Sequence, residues 1–395
     1  MNTSEATTRR RRSSRFLALR SLCTGFVILL LVAAVSPAQA QTDDDEELPS
    51  IDFAVNVMQS AQYISLSTPG NSDPDPITGF HRNRVGLNAS VQFSENVSAL
   101  VMLEQEPNDF GGITGASQFQ PQVDFLIMDL ALSDQLTLRT GTPVTGLMNF
   151  RGFSDGPVVQ GNPLIGNSPA DMITAGTGVK LVGSYSSFGF DVTVNRGFGA
   201  ALTTVSGDNT GVNLIGKFRY TGSDAFQFGG GLATQTGDRG LVFAQGDGEN
   251  YRVSSGASAA RNTHAAIPGG TIFHADGKIT SGGADVDLWT GYGSDSQNDV
   301  TSAAFFGGAG LKFDVSENFY LAGRFTYVAD QSDDTVKPDD SAALSRIQGG
   351  FGYEVFDKAL FKVEAVQQSH GDGGITRPAP ADSFFGLLTE LSFNF

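Results

Sequence analysis

Segments of about ten residues, in which apolar and polar side chains alternate, recur along most of this 395-residue chain. Successive side chains of a β-strand point to opposite faces, so strict alternation predicts strands with one apolar and one polar face. The pattern is plain in "RVGLNASVQF" (Arg84–Phe93) and "FGFDVTVN" (Phe188–Asn195). Its repetition constrains the fold more than any single segment does, because it favours a large antiparallel sheet over a helical domain.

The spacers between these segments alternate in length. Short turn-forming stretches such as Ser94–Asn96 and Ser316–Asn318 come between longer Gly-, Asp- and Pro-rich stretches such as "STPGNSDPDPITG" (Ser67–Gly79). Short turns at one rim and long loops at the other are typical of transmembrane β-barrels. A closed sheet also leaves no backbone group unpaired in lipid. The sequence therefore predicts an all-β fold, a transmembrane antiparallel β-barrel.

Sixteen strands are predicted. Counts of fourteen to eighteen stay open, because residues 237–283 read equally as a loop or as a stretch that holds another hairpin. The predicted spans are 51–64, 80–94, 97–106, 120–133, 135–142, 173–186, 188–197, 210–221, 224–236, 271–280, 284–293, 301–315, 318–329, 343–356, 359–369 and 383–395.

The N-terminal residues predict a secretory signal peptide over 1–40. Arginines 9–12 precede the apolar core Leu22–Val35, and Ala38–Ala40 forms a small-residue cleavage site. A retained membrane anchor is the alternative. An acidic lead-in follows over 41–50, and the barrel spans 51–395. Cys23 is the single cysteine and lies in the signal peptide, so the sequence predicts no disulfide.

The chain is strongly acidic. Its 42 Asp and Glu residues outnumber its 25 Lys and Arg residues, for a formal net charge of −17, and removal of the arginine-rich leader would make it more acidic still. Such a charge disfavours binding to nucleic acid. Acidic loops would favour cations at the mouths of a pore, or would reflect a high-salt habitat.

The last residues read "LLTELSFNF" (Leu387–Phe395). Leu391, Phe393 and Phe395 share one face of the alternation, while Glu390, Ser392 and Asn394 share the other. The pattern predicts a final strand that closes the barrel, with its apolar side against lipid.

These features together resemble the general and substrate-selective porins of Gram-negative outer membranes. The resemblance rests on the leader, the hairpin rhythm and the terminal aromatic, and it covers Ile51–Phe395. It implies a multi-pass outer-membrane protein, commonly trimeric, that lets small polar solutes and ions diffuse through a water-filled barrel. It also implies that Phe395, Phe393 and Leu391 form the signal read by the outer-membrane assembly machinery. No cofactor is implied.

In porins a long third external loop folds into the pore and narrows it. The counterpart here is Pro143–Met172, thirty residues without clear periodicity, and loops of such length are usually functional. It carries Arg151, Asp155 and Asp171. The short acidic signature of enterobacterial porins is missing from it, so only the position is carried over, and a plain external loop is the alternative.

If the aromatic-rich face meets lipid, the other face lines the lumen. The basic residues that it would bring to the pore wall are Arg82, Arg84, Arg139, Lys180, Lys217, Arg219, Arg324 and Arg346. We expect Arg82, Arg84 and Arg139 to face acidic residues of the loop, creating a transverse field across the pore. The alternative is that such cations pair locally with wall carboxylates.

The sequence predicts neither an enzyme nor a metal site. Its four histidines lack a second ligand at a metal-binding spacing, and the adjacent Ser369 and His370 do not have the arrangement of a catalytic triad. Trp289 is expected to pack rather than to bind a sugar. A non-conducting structural or adhesive barrel is the rival to the pore, and a substrate-selective porin for anions or sugars is the other alternative.

Overall fold

A computed structural model describes residues 48–67, 75–105, 122–142, 148–150, 161–166, 177–195, 212–236, 242–245, 265–268, 270–297, 299–333, 343–370 and 383–395. The predicted signal peptide (1–40) and most of the acidic lead-in lie outside these residues. The described strands, numbered in chain order, are β1 (Ser50–Ser67), β2 (Ile77–Ser94), β3 (Val97–Gln105), β4 (Gln122–Ser133), β5 (Leu136–Thr142), β6 (Gly178–Tyr185), β7 (Phe188–Asn195), β8 (Val212–Tyr220), β9 (Phe226–Thr236), β10 (Val242–Gln245), β11 (Ala265–Pro268), β12 (Thr271–Ser281), β13 (Ala284–Gln297), β14 (Val300–Ser316), β15 (Phe319–Asp330), β16 (Ala343–Phe356), β17 (Ala359–His370) and β18 (Ser383–Asn394).

Sixteen of these strands form one closed antiparallel barrel, and β10 and β11 form a separate two-stranded sheet. Neighbours along the chain pair with one another, except that β9 pairs with β12 across the inserted hairpin. The barrel closes where β18 pairs with β1. At this seam Val55 and Phe395 exchange two backbone hydrogen bonds, at 3.0 and 2.9 Å. The predicted sixteen-stranded barrel is confirmed.

The two faces of the wall differ as the alternation predicts. Leu87, Leu321 and Leu387 are representative of the outer face, where large apolar side chains stay exposed. The described outer-face side chains of the sixteen strands include no Asp, Glu, Lys or Arg. Charged side chains and many amide side chains, among them Asn56, Asn88 and Gln348, instead occupy the inner face. Because charge on the lipid face costs about 2–4 kcal/mol at the bilayer midplane, this division suits a membrane-spanning barrel.

Aromatic rings gather on the outer face near the rim that carries the tight turns. Phe188 contacts Tyr220 with ring centroids 5.1 Å apart, and Tyr220 contacts Phe228 at 5.3 Å. Phe393 and Phe395 stack at 6.2 Å. An aromatic girdle of this kind marks the interface between the hydrocarbon and the lipid headgroups.

The connections alternate between tight turns and long loops, except that β13 and β14 are joined by a short connection at the long-loop rim. The turn between β12 and β13 holds Gly282 and Gly283 at φ +57° and +83°, which a tight hairpin turn requires. Strands β13 and β14 run beyond their predicted ends and are joined at the long-loop rim by residues 298 and 299 alone. The polar residues Ser294–Gln297 read as a loop in the sequence, but they pair with Val300–Ala303.

The uncertain stretch 237–283 contains a hairpin that does not join the barrel. Strands β10 and β11 pair only with each other among the described residues, and β11 contacts β13 and β14. The hairpin therefore sits beside the rim where the β13–β14 connection is short.

Candidate pore site

The connection between β5 and β6, which we call the third loop, contacts inner-face side chains on distant strands. Its described parts are residues 148–150 and 161–166. The first part contacts β8 and β12, and the second contacts β15, β16 and β17. Because those side chains point to the interior, both parts of the loop lie inside the barrel.

The first part of the loop is held by Asp276 on β12. The backbone N–H groups of Asn149 and Phe150 donate to its Oδ2 at 2.6 and 2.9 Å, and Asn149 Nδ2 donates to its Oδ1 at 2.8 Å. We call these contacts the first anchor. A Cβ on Gly229 would lie 2.4 Å from Asn149 Nδ2 and 2.6 Å from the backbone oxygen of Phe218, so a glycine is needed where the loop approaches the wall.

The second part of the loop is held by Glu364 on β17. The backbone N–H groups of Ile165 and Gly166 donate to its Oε2 at 2.6 and 2.9 Å. Gln348 Nε2 donates to Gly166 O at 3.0 Å and to Glu364 Oε1 at 3.2 Å. We call these contacts the second anchor. Glu364 is fully buried, and a buried carboxylate needs such donors to offset its lost hydration.

Two side chains of β15 add to the second anchor. Arg324 donates from Nη1 to Gly166 O at 2.8 Å and from Nη2 to Asn162 Oδ1 at 3.2 Å. The Tyr320 hydroxyl donates to Pro163 O at 3.1 Å. The backbone of 161–166 is thus bonded to three adjacent strands, which fixes its position against the wall.

Apolar contacts reinforce both anchors. Met148 packs on an inner-wall cluster that includes Trp289 and Phe306, and Ile165 packs in a second cluster with Phe384 and Leu388. Trp289 is thereby a packing residue, as expected. A Cβ on Gly308 would lie 2.4 Å from the Trp289 ring, so this glycine makes room for the indole.

Of the predicted basic residues, four lie side by side on β5–β8, paired with wall carboxylates. Arg139 donates to Asp129 from Nε at 2.8 Å and from Nη2 at 2.6 Å. Lys180, Lys217 and Arg219 all contact Asp191, at 3.5, 3.4 and 2.8 Å. Lys217 also donates to Met148 O at 3.0 Å, which links this group to the third loop.

A cavity of about 310 Å³ lies beside the Arg139–Asp129 ion pair. Its lining includes Asp52, Ser90 and Gln92 from β1 and β2. The cavity brings both signs of charge to one polar recess near the tight-turn rim.

The other predicted wall cations are spread over distant strands. Arg84 on β2 is 1% exposed, and Arg346 on β16 is fully buried and donates from Nε to Gln368 Oε1 at 2.7 Å. Arg324 belongs to the second anchor. The side chain of Arg82 lies outside the described residues, as do Arg151, Asp155 and Asp171 of the third loop. The structure therefore does not describe the expected meeting of Arg82, Arg84 and Arg139 with the loop.

The three residues of the expected assembly signal lie on the outer face of the barrel seam. Leu391 and Phe393 point outward from β18, and Phe395 follows them with its ring 63% exposed. Their neighbours Glu390 and Ser392 point inward and are buried, as the alternation predicts.

Sequence reasoning missed the residues that hold the loop. Asp276, Asn149 and Asn162 carry no motif, and Tyr320 falls within the predicted strand 318–329 with no feature that marks it as a loop contact. Asp276 does occupy an inner-face position within an alternating segment, which is a usable signal. The sequence does not show that Asp276 holds the loop, because this role depends on where the third loop contacts the inner wall.

Among the described residues, none forms a helix that is long and apolar enough to cross a membrane. The same part of the chain holds no group of three or more His, Cys, Asp or Glu residues arranged to bind a metal. Ser369 lies at the end of β17, where its Oγ is 2.9 Å from Ser345 Oγ of β16.

No protein-family model and no curated protein matches this chain. Solved structures do. OmpT folded in vitro, an outer membrane protein of Vibrio cholerae, matches with a TM-score of 0.57 and 14% identity, over 91% of this chain and 100% of that one. An anion-selective porin from Comamonas acidovorans matches with a TM-score of 0.55 and 14% identity, over 88% of this chain and 100% of that one. The outer membrane channel DcaP of Acinetobacter baumannii matches with a TM-score of 0.55 and 12% identity, over 90% of this chain and 100% of that one.

The chain has the fold of an outer-membrane porin. The likeness extends over the whole of each matched structure, although the identity is low, so it concerns the fold. Together with the apolar outer face and the aromatic girdle, it makes this a multi-pass β-barrel of the outer membrane. The porin-like fold and location suggested by the sequence are confirmed.

Proposed function

We propose that this porin-like barrel allows passive diffusion of small hydrophilic solutes and ions, and that the third loop narrows its water-filled lumen. The observation that carries the proposal is the placement of residues 148–150 and 161–166 inside the barrel, bonded to inner-wall side chains. A loop tied to both Asp276 and Glu364 reduces the cross-section without the need for a separate plug domain. On this proposal the protein has no catalytic role.

The polar inner wall supports passage of hydrophilic solutes. Partly exposed ion pairs such as Arg139 with Asp129 and Lys278 with Asp285 lie on it, and a polar solute can replace part of its hydration shell at such groups. Arg151, Asp155 and Asp171 would act at the narrowest point. The contacts of Arg139 favour local pairing over a field directed at the loop.

A specific observation favours the rival, a barrel that does not conduct. Several inner-face side chains of β16–β18 are almost fully buried, among them Arg346, Lys362 and Glu390, and apolar clusters occupy part of the interior. A filled lumen would leave the acidic loops with a structural or adhesive role at the cell surface.

Deletion of residues 151–168 tests the narrowing role of the loop. It removes the second anchor's loop residues, so the single-channel conductance in planar bilayers should rise. Deletion of residues 246–264, between β10 and β11, is a control of similar length that leaves both anchors in place. Equal conductance for wild type and the 151–168 deletion would contradict a constricting role.

We also propose a homotrimer, as the resemblance to porins implies. Light scattering of the detergent-purified protein, corrected for bound detergent, should give three times the mass of one chain. A mass of one chain in several mild detergents would contradict this.

A further inference from the structure

The group formed by Lys180, Lys217, Arg219 and Asp191 has more positive than negative charge. The three cations come from β6 and β8 and contact the one carboxylate, on β7 between them. The side chains of Lys180, Lys217 and Asp191 are only 8%, 7% and 6% exposed, so solvent screens them little. Among the described residues, Lys217 has one further acceptor, the carbonyl of Met148.

Neighbouring charges reduce this surplus but do not remove it. Arg139 lies opposite Lys180 in the β5–β6 register, but it is already paired with Asp129. Asp276, on the far side of β9, accepts only neutral N–H groups of Asn149 and Phe150 in the first anchor, so it keeps its negative charge and also attracts Lys217. Three cations against the two carboxylates Asp191 and Asp276 leave one positive charge in a poorly solvated setting, and burying charge without a partner is costly.

A second, independent feature points to a missing acceptor. Thr193 lies on the inner face of β7, two residues from Asp191 and directly opposite Lys180 in the β6–β7 register. It is 1% exposed, and its Oγ1 has no hydrogen-bond partner in the described part of the chain. A buried hydroxyl in this position can donate to an oxygen held by the adjacent lysines.

We infer that Lys180, Lys217, Arg219 and Thr193 form a binding site for a small doubly charged oxyanion of the sulfate or hydrogen-phosphate type. An oxyanion of this type offsets the surplus charge, and its several oxygens can accept from two ammonium groups, a guanidinium and a hydroxyl. Asp191 keeps the cations together and limits the affinity by competing for them. The site deepens the proposed pore function, on which its role in transport rests, because it would hold an anion on the wall beside the third loop.

Calorimetric titration of sodium sulfate into the full-length, detergent-purified barrel at low ionic strength tests the site. Wild type should bind in a saturable manner. K180Q should weaken binding by about tenfold or more, the effect of losing one charge-assisted contact. K312Q is the matched control, because Lys312 makes a one-to-one pair with Asp314 at 2.7 Å, and it should bind as wild type. D191N should bind sulfate more tightly, because it removes the carboxylate that competes with sulfate for the three cations.

Heat-modifiable migration in gels checks that each variant is folded. The expected changes in affinity for D191N and K180Q have opposite signs, whereas general destabilisation of the barrel would weaken sulfate binding in both variants. Acetate, a monoanion, should bind more weakly than sulfate or phosphate. The absence of saturable sulfate binding, or equal affinities in wild type, K180Q and D191N, would overturn the inference. Because calorimetry needs no current, a barrel that binds sulfate but never conducts would refute the pore and leave the site standing.

Discussion

At the residue scale, the carboxylate of Glu364 is the group on which the inner position of the third loop most depends. It accepts two backbone N–H groups from the loop and one amide from Gln348 while fully buried. Hydrogen bonds to a charged group contribute about 1.5–3 kcal/mol each, so its charge matters more than its volume.

Glu364→Gln keeps the shape and removes the charge, and so should loosen residues 161–166. We expect a larger mean conductance, more current noise at single-channel resolution and faster proteolysis within the loop. Glu354→Gln is the control, since Glu354 is exposed near the tight-turn rim and makes no side-chain hydrogen bond to the described loop residues. Currents of E364Q that cannot be told from those of E354Q would contradict the role of the second anchor.

At the element scale, β18 closes the barrel and its last backbone bonds involve Phe395 and Val55. Removal of Phe395 takes away both bonds and one exposed ring of the girdle, so the seam should fray at the tight-turn rim. We predict less heat-modifiable barrel in the outer-membrane fraction of cells that produce the truncated chain.

Refolding of the same truncated chain into detergent separates two causes. Normal folding in detergent with poor assembly in cells would support the expected recognition of Phe395, Phe393 and Leu391 by the assembly machinery. Poor folding in both would assign the effect to the seam. Full assembly in cells would contradict both roles.

The strands could be predicted from the sequence because lipid on one side and polar groups on the other impose a period of two. The strand ends could not be predicted where the residues on both faces are polar, because the alternation then disappears. Ser294–Gln297 is polar on both faces beyond the apolar belt, so the ends of β13 and β14 resembled a loop. The two anchors could not be predicted for another reason. The loop residue that contacts Asp276 depends on the path of the third loop, and the sequence of that loop has no periodicity from which its path can be inferred.

At the scale of the whole molecule, the division between an apolar outer face and a polar inner face fixes the barrel in the membrane. Leu311 on β14 is 47% exposed on the outer face, while its neighbour Gly310 faces inward, where an added Cβ would have no heavy atom nearer than 3.8 Å. Leu311→Arg should lower the free energy of unfolding in lipid by about 2–4 kcal/mol.

Gly310→Arg is the matched variant, because it places the same charge on the inner face, near Asp287. It should cost clearly less than Leu311→Arg in a denaturant titration of vesicle-inserted protein. Equal costs for the two arginines would contradict the assignment of the faces.

The central claim, that the barrel is an open pore narrowed by its third loop, is tested most directly by the current through single molecules in a planar bilayer. Purified wild-type protein should insert with discrete, reproducible conductance steps in potassium chloride. Folded, heat-modifiable protein that inserts without any stepwise current would contradict the pore and favour the non-conducting barrel.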